Sequence, residues 1–369
     1  MKSLRFIGIA ILAVFMSVGI TACGDDNSQQ IEEPNFISKN LHVKTAGDLS
    51  TLISDEELLN ISELTLSGFI NGTDVGYIQK MKNLTKIDLS NLHIVGGGNS
   101  YWGDGNNSHT WDNIFPEYFF ENKPYLKEVK ISNSVTKIGK YAFHDCPSLT
   151  SINIPNSVTV IGIRAFDGCK NLASVNISHG VTKIEEYAFY NCPSLTSINI
   201  PNSVVEIKDD VFRECTNLIS IDIPESVNKI GGGIFCNCTN LTSVSLPNSI
   251  TKISRSTFRN CTSLTSINIP NSITKIEPYA FDGCTSLTSI TIPSKVLNIK
   301  EVKNLSILNY KEGDFGDWNT EYNGIATLLV VDEKNSGNYY ENIYNVQGYA
   351  NVENDTVVGI STIISVCKR

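Results

Sequence analysis

Charge is scarce in this chain. Asp, Glu, Lys and Arg make up 18% of its 369 residues, against about 25% in ordinary globular proteins. There is no basic excess either, since 29 Lys and Arg face 38 Asp and Glu, for a net charge of −9. A surface that follows phosphates needs clustered cations, so nucleic acid is excluded as a partner class. Long apolar runs are also missing. The longest, Ile7 to Ile20, falls short of the roughly 20 residues that cross a bilayer. Catalytic motifs are absent. The five histidines (42, 93, 109, 144 and 179) are scattered, and none sits in a motif with a nucleophile and an acid. No pair of CxxC motifs offers a zinc site. Asp104-x-Asn106-x-Ser108 has the alternation of half a calcium loop but lacks its later Glu. The sequence therefore predicts a non-enzyme with no metal and no cofactor.

Polarity comes instead from 39 Asn and from many Ser and Thr. The N-terminal run, preceded by Lys2 and Arg5, suits the apolar core of a secretory signal. It ends in Ile20-Thr21-Ala22-Cys23, which resembles a bacterial lipoprotein signal. The resemblance implies removal of residues 1–22 and lipidation of Cys23. Gly24-Asp25-Asp26-Asn27 resembles the surface-export signal of some Gram-negative lipoproteins. Residues 23–40 read as a flexible tether.

Ten cysteines are present, and their spacing says more than their number. Seven recur every 23 residues, at Cys146, Cys169, Cys192, Cys215, Cys238, Cys261 and Cys284. A Phe stands three residues before each and a Leu three residues after. One unit runs Ala142-Phe143-x-x-Cys146-x-x-Leu149-x-x-Ile152-x-Ile154-Pro155-x-x-Val158-x-x-Ile161. Ile152-x-Ile154 alternates as a short strand with its apolar side chains inward. Pro155 ends it, because proline cannot donate to a ladder. A single unit cannot bury its apolar face, so neighbours must stack into a solenoid whose strands pair in parallel about 4.8 Å apart. Sulfurs arrayed along an axis do not converge on a metal, and the ladder cysteines read as small buried residues with weak S–H donors. Cys236 stands outside the ladder and reads as exposed, and Cys367 is a second stray.

This pattern resembles the BspA-like leucine-rich repeat family, which residues 187–204 follow almost letter by letter. The resemblance implies a mostly β fold of the α/β repeat type. It would be a right-handed solenoid with a parallel sheet and 23-residue turns, capped at both ends. It divides the chain into an N-terminal cap with divergent repeats (41–95), a loop insertion (96–117), regular repeats (118–300) and an irregular C-terminal repeat with its cap (301–369). Leu41 and Val43 precede Leu64 and Leu66 by 23, which in turn precede Ile87 and Leu89 by 23, so the register extends backwards. Residues 48–59 read as a short amphipathic helix over the first turn.

Function is sought on the outward strand positions Ser151, Asn153, Ser174, Asn176, Ser197, Asn199, Ser220 and Asp222. They form a neutral hydrogen-bonding face, the kind of extended surface on which solenoids bind. Tyr101, Trp102 and Trp318 are the aromatic contact candidates, whereas Trp111 is expected to pack beside Ile114-Phe115. The resemblance implies an adhesin-like role, the capped ends predict a monomer, and the lipoprotein signal with its acidic tether predicts a place on the outer membrane, held there by lipid alone. Its partners would be host or bacterial surface proteins or glycans. The alternative is polysaccharide capture beside an outer-membrane importer.

Overall fold

The computed structural model describes residues 36–101, 109–277 and 279–287, together with the backbone of four strands between 305 and 364. Cys23, Trp102, Trp318, Cys367, the Asp104–Ser108 loop and most of the tether lie outside the described residues.

The first turns are built from longer elements than the rest. Strand β1 (Ile37–Val43) leads through a 3₁₀ turn and the short helix α1 (Asp55–Leu58) to β2 (Ile61–Ile70). Helix α2 (Gly72–Gln79) then leads to β3 (Lys86–Ile94). The expected helix over 48–59 is two short pieces. Leu49, Ile53 and Leu58 are buried, but Leu52 and Leu59 face solvent. Asp74 ties the 3₁₀ turn to the start of α2, accepting from the N–H groups of Gly47, Leu49 and Asn71 at 2.6–3.0 Å. At the other end of α2 the buried Lys123 ammonium donates to the carbonyls of Gln79 (2.6 Å) and Met81 (2.8 Å). Burial pulls its pKa down to about 8. Lys123→Met strands those two carbonyls and is expected to cost about 1–3 kcal/mol in urea unfolding.

The backward register needs correction. Leu41 pairs with Leu66 and Lys39 with Leu64, an offset of 25 and not 23. An irregularity between Thr65 and Ser67 shifts β2 against β3 as well. Leu64 does pair with Ile87. Ile87 then pairs with Val129 of β5 (Glu128–Lys130), across the insertion. Strand β4 (Ile114–Phe115) already pairs with Lys137–Ile138, so the 23-residue ladder begins there.

From that point each turn has three sides. The first is the Ile-x-Ile strand, as in Ser151–Ile154 paired with Ser174–Ile177. The Pro carbonyl then closes a turn, with Val158 N–H donating to Pro155 O at 3.0 Å. The second side is a two-residue strand the sequence reading missed. Val160–Ile161 belongs to a six-stranded parallel sheet running from β4 to Lys229–Ile230. On the third side, N–H groups donate forward, as in Phe143 to Ala165 O at 2.8 Å. Two columns on this side have positive φ at 23-residue intervals. One is mostly Asn, Asp and Gly; the other includes Tyr118, Tyr141, Arg164 and Tyr187.

Each turn buries about eight side chains. In one of them Val158, Ile161, Ala165, Phe166, Cys169, Leu172, Val175 and Ile177 are all at most 7% exposed. The phenylalanines stack ring on ring along the axis, with centroids 5.0–6.0 Å apart from Phe143 to Phe281. The result is a parallel solenoid of about ten turns. Further on, the strands Leu305–Leu308, Thr327–Val330, Asn345–Glu353 and Thr356–Ile364 pair antiparallel, where the sequence suggested an irregular last repeat. Among the described residues no helix is long and apolar enough to cross a membrane.

Candidate functional site

The first side of the turn presents the candidate face. Alternation in a strand sends every second residue outward, and Ile152 and Ile154 anchor the opposite set in the core. Ser151, Asn153, Ser174, Asn176, Ser197, Asn199, Ser220 and Asp222 are all exposed. Ser243, Ser245, Ser266 and Asn268 continue both columns. Register places like beside like, as in Ser151 with Ser174 and Asn153 with Asn176. None of these side chains hydrogen-bonds to another described residue. Many hydroxyls elsewhere on the turn are committed, although those of Ser157 and Ser272 are buried without a partner among the described residues. Thr159 and Thr182 each donate to the carbonyl of the Thr one turn back at 3.1 Å, and Ser203 donates to Val181 O at 2.6 Å. The strand face therefore keeps its donors and acceptors free for something else.

That neutrality has a boundary the sequence reading missed. On the N-terminal turns the same two columns carry Glu63, Lys86 and Glu128, and Asp88 and Lys130. Lys86 meets Glu128 at 3.0 Å and Lys130 meets Asp88 at 2.9 Å. Burial works to raise the Asp88 carboxyl, but Ser90 and Lys130 outweigh it and hold the pKa below the ordinary value. The charges were legible residue by residue. Only the 42-residue offset between β3 and β5 aligns them with the Ser/Asn columns.

Two aromatic expectations change. Tyr101 turns inward over α2, where Gly72 and Gly76 leave the space that a Cβ would fill at 3.4 and 3.1 Å from it. Its hydroxyl is buried, and burial pushes the phenol above its usual range. Tyr101 is half-buried and packs against the core. Trp111, expected to pack, is 67% exposed, because Ile114 and Phe115 turn away into the second sheet. Trp111→Ala is expected to change stability by less than about 0.5 kcal/mol, read as an unshifted urea midpoint. Phe69 is also exposed on β2, stacked against His93 at 5.5 Å.

The cysteines serve the scaffold. Each ladder thiol is buried and donates to the Phe carbonyl of the turn before, from Cys146 to Phe120 O (2.9 Å) through Cys284 to Phe258 O (3.0 Å). Burial pushes the thiols of Cys146, Cys215 and Cys284 up to about 12. All eight described cysteines are free. Cys236, expected to be exposed, is 4% exposed. It occupies the third-side column between Arg213 and Arg259, and burial raises its pKa although both guanidinium groups work to lower it.

His144 lies on the same side, with Nδ1 3.1 Å from Glu121 and Nε2 3.6 and 3.7 Å from Asp145 and Asp167. Arg164 holds Asp167 at 2.6 Å and stacks on Tyr187 at 4.2 Å. Burial nevertheless raises the Asp167 carboxyl. Among the described residues no cluster has the geometry of a metal site.

A stacked Phe ladder, a thiol donating to the previous turn and parallel strands at a 23-residue pitch define a leucine-rich repeat solenoid. The family described as BspA type leucine rich repeat region matches residues 113–242 and 205–304, in six copies. That is more than half of the chain, and the chain belongs to this family. Its members are typically bacterial surface proteins and generally non-catalytic scaffolds, and leucine-rich repeat proteins generally bind proteins. A leucine-rich repeat protein of T. pallidum is 36% identical over 42% of this chain and 72% of its own, with a TM-score of 0.40. A leucine-rich cell surface protein of Faecalibacterium prausnitzii is 25% identical over 64% and 74%, with a TM-score of 0.33. One from Bacteroides ovatus is 23% identical over 63% and 67%, at 0.38. No curated protein matches.

Proposed function

We propose that the protein is a lipid-anchored, adhesin-like binder of the bacterial outer membrane, exposed at the cell surface and without catalysis. Its ligands are host or bacterial surface proteins or glycans, held on the strand face. One observation carries this reading: the outward Ser, Asn and Asp side chains are exposed and uncommitted, while many hydroxyls on the other sides, such as those of Thr159 and Thr182, are spent on the scaffold. The Cys23 thiol is the lipid attachment point, and the acidic residues after it favour export to the outer leaflet. Neutrality of the face favours a second reading, capture of polysaccharide for an importer.

Anchoring and binding are tested separately. Cys23→Ala is expected to move the protein from the membrane pellet to the soluble fraction; a variant that stays in the pellet contradicts lipidation. The mature chain is expected to bind members of a mixed array of matrix proteins and glycans. A blank array contradicts the binding role.

A further inference from the structure

We infer that the strand face binds an uncharged, linear polysaccharide laid along the solenoid axis, about one sugar unit to each turn. The inference rests on the strand-face reading above and names its ligand class. Its starting point is periodicity. Strand neighbours repeat about every 4.8 Å along the axis, and outward residues of one strand lie about 6.6 Å apart. Each turn from Ser151 to Asn268 therefore offers nearly the same pair of groups at the same place. Hydroxyls and carboxamides both donate and accept, as sugar hydroxyls do. An ordinary globular surface offers no such repeat. A homopolymer does, and sliding it by one turn restores the same contacts.

Charge and anchors point the same way. The two columns hold one charge over these turns, Asp222, and no cation. An anionic polymer would meet repulsion there and find no counter-charge. The ion-paired strands β3 and β5 close the neutral stretch at its N-terminal end. Tight protein interfaces rest on buried Trp, Tyr or Arg anchors, and neither column contains one between 151 and 268. Many weak, equivalent hydrogen bonds suit a long ligand, because affinity then accumulates with length.

The test uses the mature chain with soluble mannan, xylan and mixed-linkage β-glucan, and with polygalacturonate as the charged control. At least one neutral polymer is expected to bind and polygalacturonate is not. For the polymer that binds, a series of its oligosaccharides is expected to gain about threefold in affinity per added sugar before levelling off. Asn153→Ala/Asn176→Ala/Asn199→Ala is expected to lose at least about tenfold, with an unchanged circular dichroism spectrum. These side chains make no contacts that hold the fold, so the variant tests binding and not folding. Failure of every neutral polymer, preference for polygalacturonate, or affinity independent of length overturns the polysaccharide inference. If a protein ligand is found whose binding the triple variant abolishes, the inference falls while the strand-face reading stands. If the triple variant keeps full affinity for every ligand found, the strand-face reading falls too.

Discussion

Phe189→Ala is expected to destabilise the solenoid by about 3–5 kcal/mol. The ring is fully buried and stacked between Phe166 at 5.3 Å and Phe212 at 5.8 Å. Its removal leaves a void with fixed walls, since the flanking rings are held by their own turns. The Cys215 thiol also donates to the Phe189 carbonyl, so any backbone movement that closed the void would break that bond. A solenoid is stabilised turn by turn through nearest neighbours. A loss of this size in the middle is therefore expected to loosen the coupling between the two halves, giving a lower urea midpoint and a shallower transition. A loss below about 1 kcal/mol would mean that the stack is not what joins the turns.

The second large effect is alkaline unfolding. A thiol ionises near 9.0 in the unfolded chain, but burial pushes Cys146, Cys215 and Cys284 up to about 12 and raises the other four ladder thiols as well. Above pH 9 the unfolded chain has lost these protons while the folded chain keeps them. Their stabilising contribution is thus complete below pH 9 and is lost as pH rises towards 12. Each thiol removes about 1 kcal/mol per pH unit in that window. Seven together exhaust the 5–15 kcal/mol that holds most domains within one or two pH units. Lys123 opposes them, because its folded pKa of about 8 lies below its unfolded one. It is a single group against seven. Urea midpoints taken under reducing conditions at pH 8, 9 and 10 are expected to fall steeply after 9. Cys215→Ala should make that slope shallower by about one proton, whatever it does to stability at pH 7. Midpoints that stay level to pH 10 would show the thiols ionising within the fold.

The repeat was legible because its spacing never slips. Three residue types in three fixed registers, Phe, Cys and Leu, place the turn, the core and the outward columns from sequence alone. What was missed depends on local geometry. Lys183–Ile184 and its equivalents are only two residues long, too short for any alternation to show. Helix α2 begins at Gly72 and contains Gly76, both poor helix formers, so its propensity is weak. Asn71 and Asp74 nevertheless form a reciprocal capping box, a signal that was there to be read. The register of β1 against β2 failed because longer strands with an irregular pairing replace the 23-residue rule at the start. Cys236 and Trp111 went wrong in opposite directions for one reason. A variable position carries no periodic signal, and its burial is set by neighbours on adjacent turns.

Leucine-rich repeats of this family supply a scaffold, and function lies in what is grafted on it. Two sides of the turn differ sharply here. The strand face is uniform, neutral and uncommitted. The third side is chemically varied, and its Tyr, Arg, His and acidic groups are already engaged with one another. The deciding measurement probes one mixed protein and glycan array with three mature chains: wild type, Asn153→Ala/Asn176→Ala/Asn199→Ala, and Tyr187→Ala/Tyr190→Ala. Binding on the strand face predicts that the asparagine variant loses the ligands of the wild type by about tenfold or more while the tyrosine variant keeps them. Loss in the tyrosine variant, with the asparagine variant unaffected, would place the binding surface on the third side and contradict the account.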